Sequence, residues 1–170
     1  MSDSNRVSGS SDGFASIAGR LDYPMFVVTA RAQQERSGCL VGFATQAGID
    51  PPRFLVGLSD KNRTFRVAGA ADHLAVHVLN RSQLRIASLF GEQTGDEIDK
   101  FEQCAWREGP HGLPILDDAA AWFTGEIVGR VSLGDHVGFM LAPDRGELRE
   151  DLDELVTFRD VRNMDAGHDA

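Results

Sequence analysis

Gly38-Cys39-Leu40-Val41-Gly42-Phe43-Ala44-Thr45 is an apolar run that leads through Ile49 into Asp50-Pro51-Pro52, and Phe54-Leu55-Val56-Gly57-Leu58-Ser59 resumes it on the far side. Neither proline can donate a ladder hydrogen bond, so the stretch reads as strand, break, strand. The same texture continues outward in both directions. Upstream, Met25 to Ala30 is apolar and β-branched, and polar Arg31 to Ser37 reads as a hairpin turn. Downstream, Leu74 to Leu79 is another strand, and two long β-rich stretches, Ala119 to Val131 and His136 to Leu141, meet at Gly134-Asp135. A final strand is expected over Leu155 to Phe158. Helical spacing appears before the first strand and between later ones. It marks Phe14 to Arg20, Asn62 to Ala70, Ser82 (a cap residue) to Phe90 and, more weakly, Gly95 to Glu102. Strands are short and do not alternate with helices in a β-helix-β rhythm. The pattern therefore predicts a mainly β chain, an antiparallel barrel with inserted helices, rather than a doubly wound sheet.

The flanks set the boundaries. Residues 1–13 are rich in Ser and read as a disordered lead, 14–160 as one domain, and 161–170 as a flexible tail. The acidic run from Asp144 to Glu154 reads as a solvated loop or short helix. At 170 residues, 42% hydrophobic and 25% charged, the chain can bury one core. Its net charge of −9 argues against general nucleic-acid binding, which needs clustered Lys and Arg. A local basic patch for one phosphate stays compatible with that balance. Cys39 and Cys104 form no CxxC pattern and are expected as free thiols. No secretory leader and no apolar stretch near the ~20 residues of a membrane helix appear, which points to the cytoplasm and away from a membrane.

Common catalytic signatures are missing. There is no GxGxxG, no GxxxxGK[ST] and no HExxH, and no serine stands out as a nucleophile. His73 and His77 are four apart and share a face whether on helix or strand, but no third ligand stands nearby in sequence, so no metal is expected.

Beyond these pieces lie Lys61-Asn62-Arg63-Thr64, His77-Val78-Leu79-Asn80, Gln83 to Ala87 with Phe90, Lys100-Phe101, Trp106, Gly109, Pro114-Ile115-Leu116 and Gly134-Asp135-His136. In this order and at these intervals, from Gly38 to His136, the chain resembles the flavin reductase-like family of FMN-binding split barrels. The resemblance implies a Greek-key split β-barrel and a homodimer. It implies FMN or FAD held without a Rossmann motif and reduced by NADH or NADPH. In many such proteins reduced flavin passes to a partner monooxygenase; in others the flavin stays bound. A non-catalytic flavin- or haem-binding module on the same barrel is the alternative.

The resemblance also assigns residues. A flavin needs its ring held, one face left open for the nicotinamide, and donors at its pyrimidine end. Backbone N–H groups of a turn formed by Thr45, Gln46, Ala47, Gly48, Ile49 and Asp50 would supply the donors; taken alone, the same residues read as a plain loop. Gln46-Ala47-Gly48 stands where a Ser/Thr-rich segment is usual, a departure that puts side-chain hydrogen bonds to the ring in question and leaves backbone ones. Ser59, Lys61, Asn62, Arg63 and Thr64 lie where a strand ends and a helix begins, the candidate site for the flavin phosphate. Ser59 or Asn62 could instead simply cap that helix, and Arg63 could face solvent. His136 is placed on the nicotinamide side, to orient the carboxamide or move a proton, with a structural role as the alternative. Asp135 either orients that ring or closes the turn. Phe90 flanks the cofactor or belongs to the core, and Trp106 is read as core.

Overall fold

The computed structural model describes residues 10–92 and 97–165. Helix α1 (Ser10–Ala18) precedes β1 (Phe26–Ala32) and β2 (Glu35–Val41). β3 (Ala44–Ile49), β4 (Pro52–Ser59), α2 (Arg63–Gly69) and β5 (His73–Val78) follow. Then come α3 (Leu84–Glu92), β6 (Trp106–Glu108), β7 (Pro114–Leu116), β8 (Ala121–Ser132), β9 (His136–Leu148) and α4 (Phe158–Val161). Seven strands form one sheet in the order β2-β1-β5-β8-β9-β4-β3, with every neighbouring pair antiparallel. β6 and β7 make a separate two-stranded ribbon.

That order forces the barrel. β2 and β3 are the two outermost strands of the sheet, yet only Gly42 and Phe43 separate them in sequence. The three steps from Val41 to Ala44 span at most about 11 Å when fully extended. A seven-stranded sheet whose edges lie that close has to roll up. The Gly57 N–H donates to Phe43 O at 2.6 Å and pins the linker to β4. The mainly β, split-barrel expectation holds.

Alternation along β1 then sorts the core. Phe26, Val28 and Ala30 face the barrel interior with Val41, Val56, Leu58, Leu74, Val76, Phe139 and Leu141, and α2 contributes Val67 and Ala68. Val27 faces outward to a second cluster with Leu79, Ile86, Ala87, Leu89, Phe90, Phe101 and Val161. Burial on both faces explains why β1 reads as an unbroken apolar run.

Several sequence expectations need correction. Thr45 to Asp50 is not a turn: Thr45 to Ile49 belong to β3, and only the Asp50-Pro51 step turns the chain, through a cis peptide. The polar segment Arg31 to Ser37 is mostly strand, because the hairpin narrows to Gln33-Gln34 with Gln33 at φ 56°. The acidic stretch starting at Asp144 continues β9 to Leu148. Leu155 and Thr157 make single bridges to Asn80 and Pro24 rather than a strand. α1 begins at Ser10, inside the expected disordered lead, whose residues 1–9 lie outside the described residues. At the other end Val161 is buried and Met164 packs on the same cluster, so the folded part runs past Asp160; residues 166–170 lie outside the described residues. Of the weak helix from Gly95 to Glu102, residues 95–96 also lie outside them, and Lys100–Gln103 forms one 3-10 turn.

Candidate functional site

A cleft of about 210 Å³ opens where the barrel's two edges meet. Its walls are backbone and apolar: Val41 from the end of β2, Gly42 and Phe43 from the linker, Gly57 and Leu58 from β4, and Tyr23 and Phe158 from outside the barrel. Tyr23 and Phe158 stack with ring centroids 5.1 Å apart and planes at 15°. Gly42 is required by crowding, since a Cβ there would sit 2.6 Å from the Tyr23 ring and 2.9 Å from the Met25 sulfur. Ser59, Asn62 and His136 bring polar side chains to one end of the cleft.

Their convergence follows from the ladder. β4 and β9 pair so that Ser59 lies opposite His136. The Gly134-Asp135 turn, with Gly134 at φ +80°, reverses the chain just before that pair. Asp60 N–H donates to Asp135 O at 3.1 Å, which ties the two loops together. His136 Nδ1 lies 2.8 Å from Asp135 Oδ1. A carboxylate only accepts, so Nδ1 carries the proton and Nε2 is left for a ligand. That hydrogen bond is the main reason the exposed Asp135 carboxyl sits below its ordinary range. The His136 ring also meets Phe43 edge-on at 5.0 Å, and Phe43 is 58% exposed.

After Ser59 the chain turns into α2. Asn62 Oδ1 accepts the Thr64 N–H at 2.9 Å, and Ser59 Oγ accepts the Lys61 N–H at 3.4 Å. Asn62 is thus a helix cap that also faces the cleft. Thr64 is withdrawn from any ligand: it is fully buried and its hydroxyl bonds Ser37 Oγ at 2.8 Å. Arg63 approaches Glu35 at 3.9 Å, and Lys61 is exposed beside Asn62.

The remaining candidates stand elsewhere. Thr45, Gln46, Ala47, Gly48, Ile49 and Asp50 do not line the cleft. Thr45 to Ile49 run along β3, the sheet's edge strand, so half of its backbone groups face away from β4, and Asp50 follows at the turn. Donors sought in a turn are present instead on an open strand edge. Phe90 is core: it is 2% exposed, packs edge-on to Phe101 at 5.6 Å, and lies directly under Gly38. Trp106 is half-buried and packs on Phe101 at 5.4 Å at the margin of the second cluster. Sequence reasoning missed Tyr23, Phe43 and Phe158 as cleft residues. Phe43 carried a signal, being a large aromatic in a two-residue link; the Tyr23–Phe158 stack carried none.

A cleft with apolar walls, one aromatic rim and a few convergent polar groups is what a flat heteroaromatic ligand with a polar edge requires. Among the described residues, no helix is long and apolar enough to cross a membrane.

Comparison with known proteins gives a consistent result. The family model described as "Flavin reductase like domain" matches residues 18–164. A probable flavin reductase of Rhizobium meliloti (strain 1021) is 32% identical over 114 residues, covering 65% of this chain but only 36% of that protein. The reductase component of 4-hydroxyphenylacetate 3-monooxygenase from Salmonella typhimurium is 28% identical over 149 residues, covering 87% of this chain and 85% of that one. Among solved structures, a flavin reductase domain protein from Arthrobacter sp. FB24 superposes with a TM-score of 0.79 at 21% identity, over 88% of this chain and 91% of that one.

Proposed function

The chain belongs to the flavin reductase-like family, and from that premise we propose that it is an NAD(P)H-dependent flavin reductase, moving a hydride from nicotinamide to FMN or FAD. The observation that carries this reading is the meeting of His136, Ser59 and Asn62 in one aromatic-rimmed cleft at the barrel seam. When bound there, the flavin supplies the hydride-accepting ring. The chain's own work is to hold and shield that ring. Phe43 and the glycine-lined wall offer it a flat apolar surface. The open edge of β3 offers backbone donors for its pyrimidine end. Ser59, Lys61 and Asn62 offer a polar, positively charged end suited to its phosphate. His136, fixed through Asp135, presents Nε2 to the carboxamide of the nicotinamide.

The cleft's volume supports a homodimer. Ligand pockets usually measure roughly 300–1,000 Å³, and about 210 Å³ falls short of that. A second chain lying against the exposed rim would complete it. Similarity to a monooxygenase reductase component supports a flavin-dependent monooxygenase as the consumer of the reduced flavin, and the dependence on NADH or NADPH supports a cytoplasmic setting. Anaerobic mixing of the protein and flavin with NADH or NADPH is the test. Bleaching of the flavin absorbance at a catalytic rate is expected; tight flavin binding with no bleaching by either nucleotide would overturn the enzyme reading.

A further inference from the structure

β5 presents His73, Ala75 and His77 on one face, and the segment from His111 to Leu116 runs along that face. Leu113 and Ile115 pack over Ala75 together with Trp122. The Leu116 N–H donates to His77 Nε2 at 3.1 Å. At the other end of the same segment His111 lands on His73, with ring centroids 3.6 Å apart and planes at 10°. A carboxylate from a third element joins them. Asp144 Oδ2 lies 2.6 Å from His111 Nε2 and 4.0 Å from His73 Nε2. All three ligand-type atoms lie within 4.8 Å of one another. From this cluster we propose that His73, His111 and Asp144 form a binding site for a divalent zinc-type cation, on the outer face of the barrel and separate from the flavin cleft.

Two further features show that the cluster is built. His111 has φ 59°, ψ 19°, a left-handed conformation uncommon for a residue with a side chain, and it is this backbone that carries the ring over His73. Asp144 is oriented from behind: its Oδ1 accepts a hydrogen bond from buried Thr124 Oγ1 at 2.6 Å, leaving Oδ2 for the histidines. An outer hydrogen bond of this kind is the usual support of a metal-ligating carboxylate. The nearby Arg31 guanidinium is held by Glu108 at 2.5 Å and Gly112 O at 3.1 Å, so its charge is matched locally.

Two imidazole nitrogens and one carboxylate oxygen suit zinc, with solvent as the fourth ligand. Tetrahedral zinc with ~2.0–2.2 Å bonds sets its ligand atoms about 3.3 Å apart. The His111–Asp144 contact therefore lengthens and the His73–Asp144 contact shortens, each by less than ~1 Å. The stacked rings splay so that each lone pair points at the ion. Side chains 23%, 33% and 34% exposed have room to do so. Asp144 stands eight residues beyond His136 on β9, roughly 25 Å along the strand. The ion would therefore clip β5, the β6–β7 link and β9 together and would stay clear of the redox chemistry.

Titration of the metal-free full-length chain with zinc chloride, in competition with a chromophoric chelator, tests the site. One zinc per chain is expected, with a rise in melting temperature on saturation. Asp144→Asn and His111→Asn should each lose the tight site, Asn being chosen at 111 because it tolerates the left-handed backbone. Thr124→Val, which keeps all three ligands, should weaken binding about 10–100-fold. Flavin bleaching by His111→Asn should match the parent. Should His111→Asn not fold, His73→Gln at the start of β5 serves in its place. Failure of the parent to bind zinc more tightly than these variants, or one-to-one binding that survives all of them, would overturn the proposal.

Discussion

His77 illustrates how one residue's surroundings decide its chemistry. It shares a strand face with His73, yet it is fully buried, its Nδ1 2.9 Å from Val27 O and its Nε2 accepting the Leu116 N–H at 3.1 Å. An acceptor at Nε2 requires the neutral ring with its proton on Nδ1, and burial accordingly depresses its pKa from 6.5 to about 4. The unfolded chain binds a proton near pH 6.5 that the native chain refuses until about pH 4. Stability is therefore full above pH 6.5 and falls as the pH drops from there towards 4, by about 3 kcal/mol for this one group. Urea denaturation at several pH values, on the parent and on His77→Gln, should show a steeper loss in the parent over that window; parallel curves would contradict it. His136 predicts the opposite profile. It is partly exposed and faces the cleft, so His136→Ala should slow flavin bleaching or raise the KM for NAD(P)H while the melting temperature stays within about 1 °C, surface changes costing little. General acid–base roles are worth ~10²–10⁴-fold, and a smaller loss is expected for an orienting group. A lowered melting temperature with normal bleaching would assign His136 to the turn instead. The sequence made His136 legible because the Gly-Asp turn before it fixes where β9 starts. It could not distinguish His73 from His77, since their partners lie 38 and 39 residues away in sequence.

At the level of elements, central strands were legible and edges were not. β1 and β5 announce themselves because both faces are buried. β3 is exposed at Thr45, Gln46, Ala47 and Ile49, so nothing in its composition separates an edge strand from a loop. Lys100 shows the same limit from the other side: the Lys100-Phe101 pair is recognisable, but its reason is internal. The ammonium is buried, with its pKa lowered by that burial, and it donates to Phe90 O at 3.0 Å and Gly38 O at 3.2 Å, tying α3 to β2. The loop from β4 to α2 carries the element's own prediction. Ser59 and Asn62 face the cleft with exposed Lys61 between them, while Arg63 leans on Glu35. Changing Lys61 and Arg63 together to Ala should weaken FMN binding by about tenfold or more, as expected for hydrogen bonds to a charged group, and leave riboflavin, which has no phosphate, nearly unaffected. Equal losses for both ligands, measured by fluorescence quenching, would remove the phosphate from this loop.

For the whole molecule, the exposed apolar groups argue for a partner. Phe43, Val131 and Leu133 are 58%, 49% and 45% exposed. They are also neighbours. A Cβ on Gly57 would touch Phe43 at 3.2 Å and Leu133 at 3.9 Å, and one on Gly138 would touch Val131 at 2.8 Å and Leu133 at 3.0 Å. Gly57 and Gly138 lie opposite each other on β4 and β9, so two facing glycines let these side chains fold down into one apolar patch beside the cleft. Scattered exposed hydrophobics need no explanation, but a contiguous patch at a ligand site does. A second copy of the chain would bury it and close the short side of the cleft at once, with two-fold symmetry making the two clefts equivalent. Light scattering at micromolar concentration with flavin present should return the mass of two chains. In such a contact Leu133→Asp would place a charge where the patch is buried, and an unpaired buried charge costs several kcal/mol. It should return the mass of one chain and weaken flavin binding together, with the far-ultraviolet circular dichroism unchanged. A parent mass of one chain would end the dimer. A Leu133→Asp protein that remains dimeric and binds flavin normally would move the interface elsewhere, and the exposed face of α1, with Phe14 at 69% and Ile17 at 62%, is then the surface to change next.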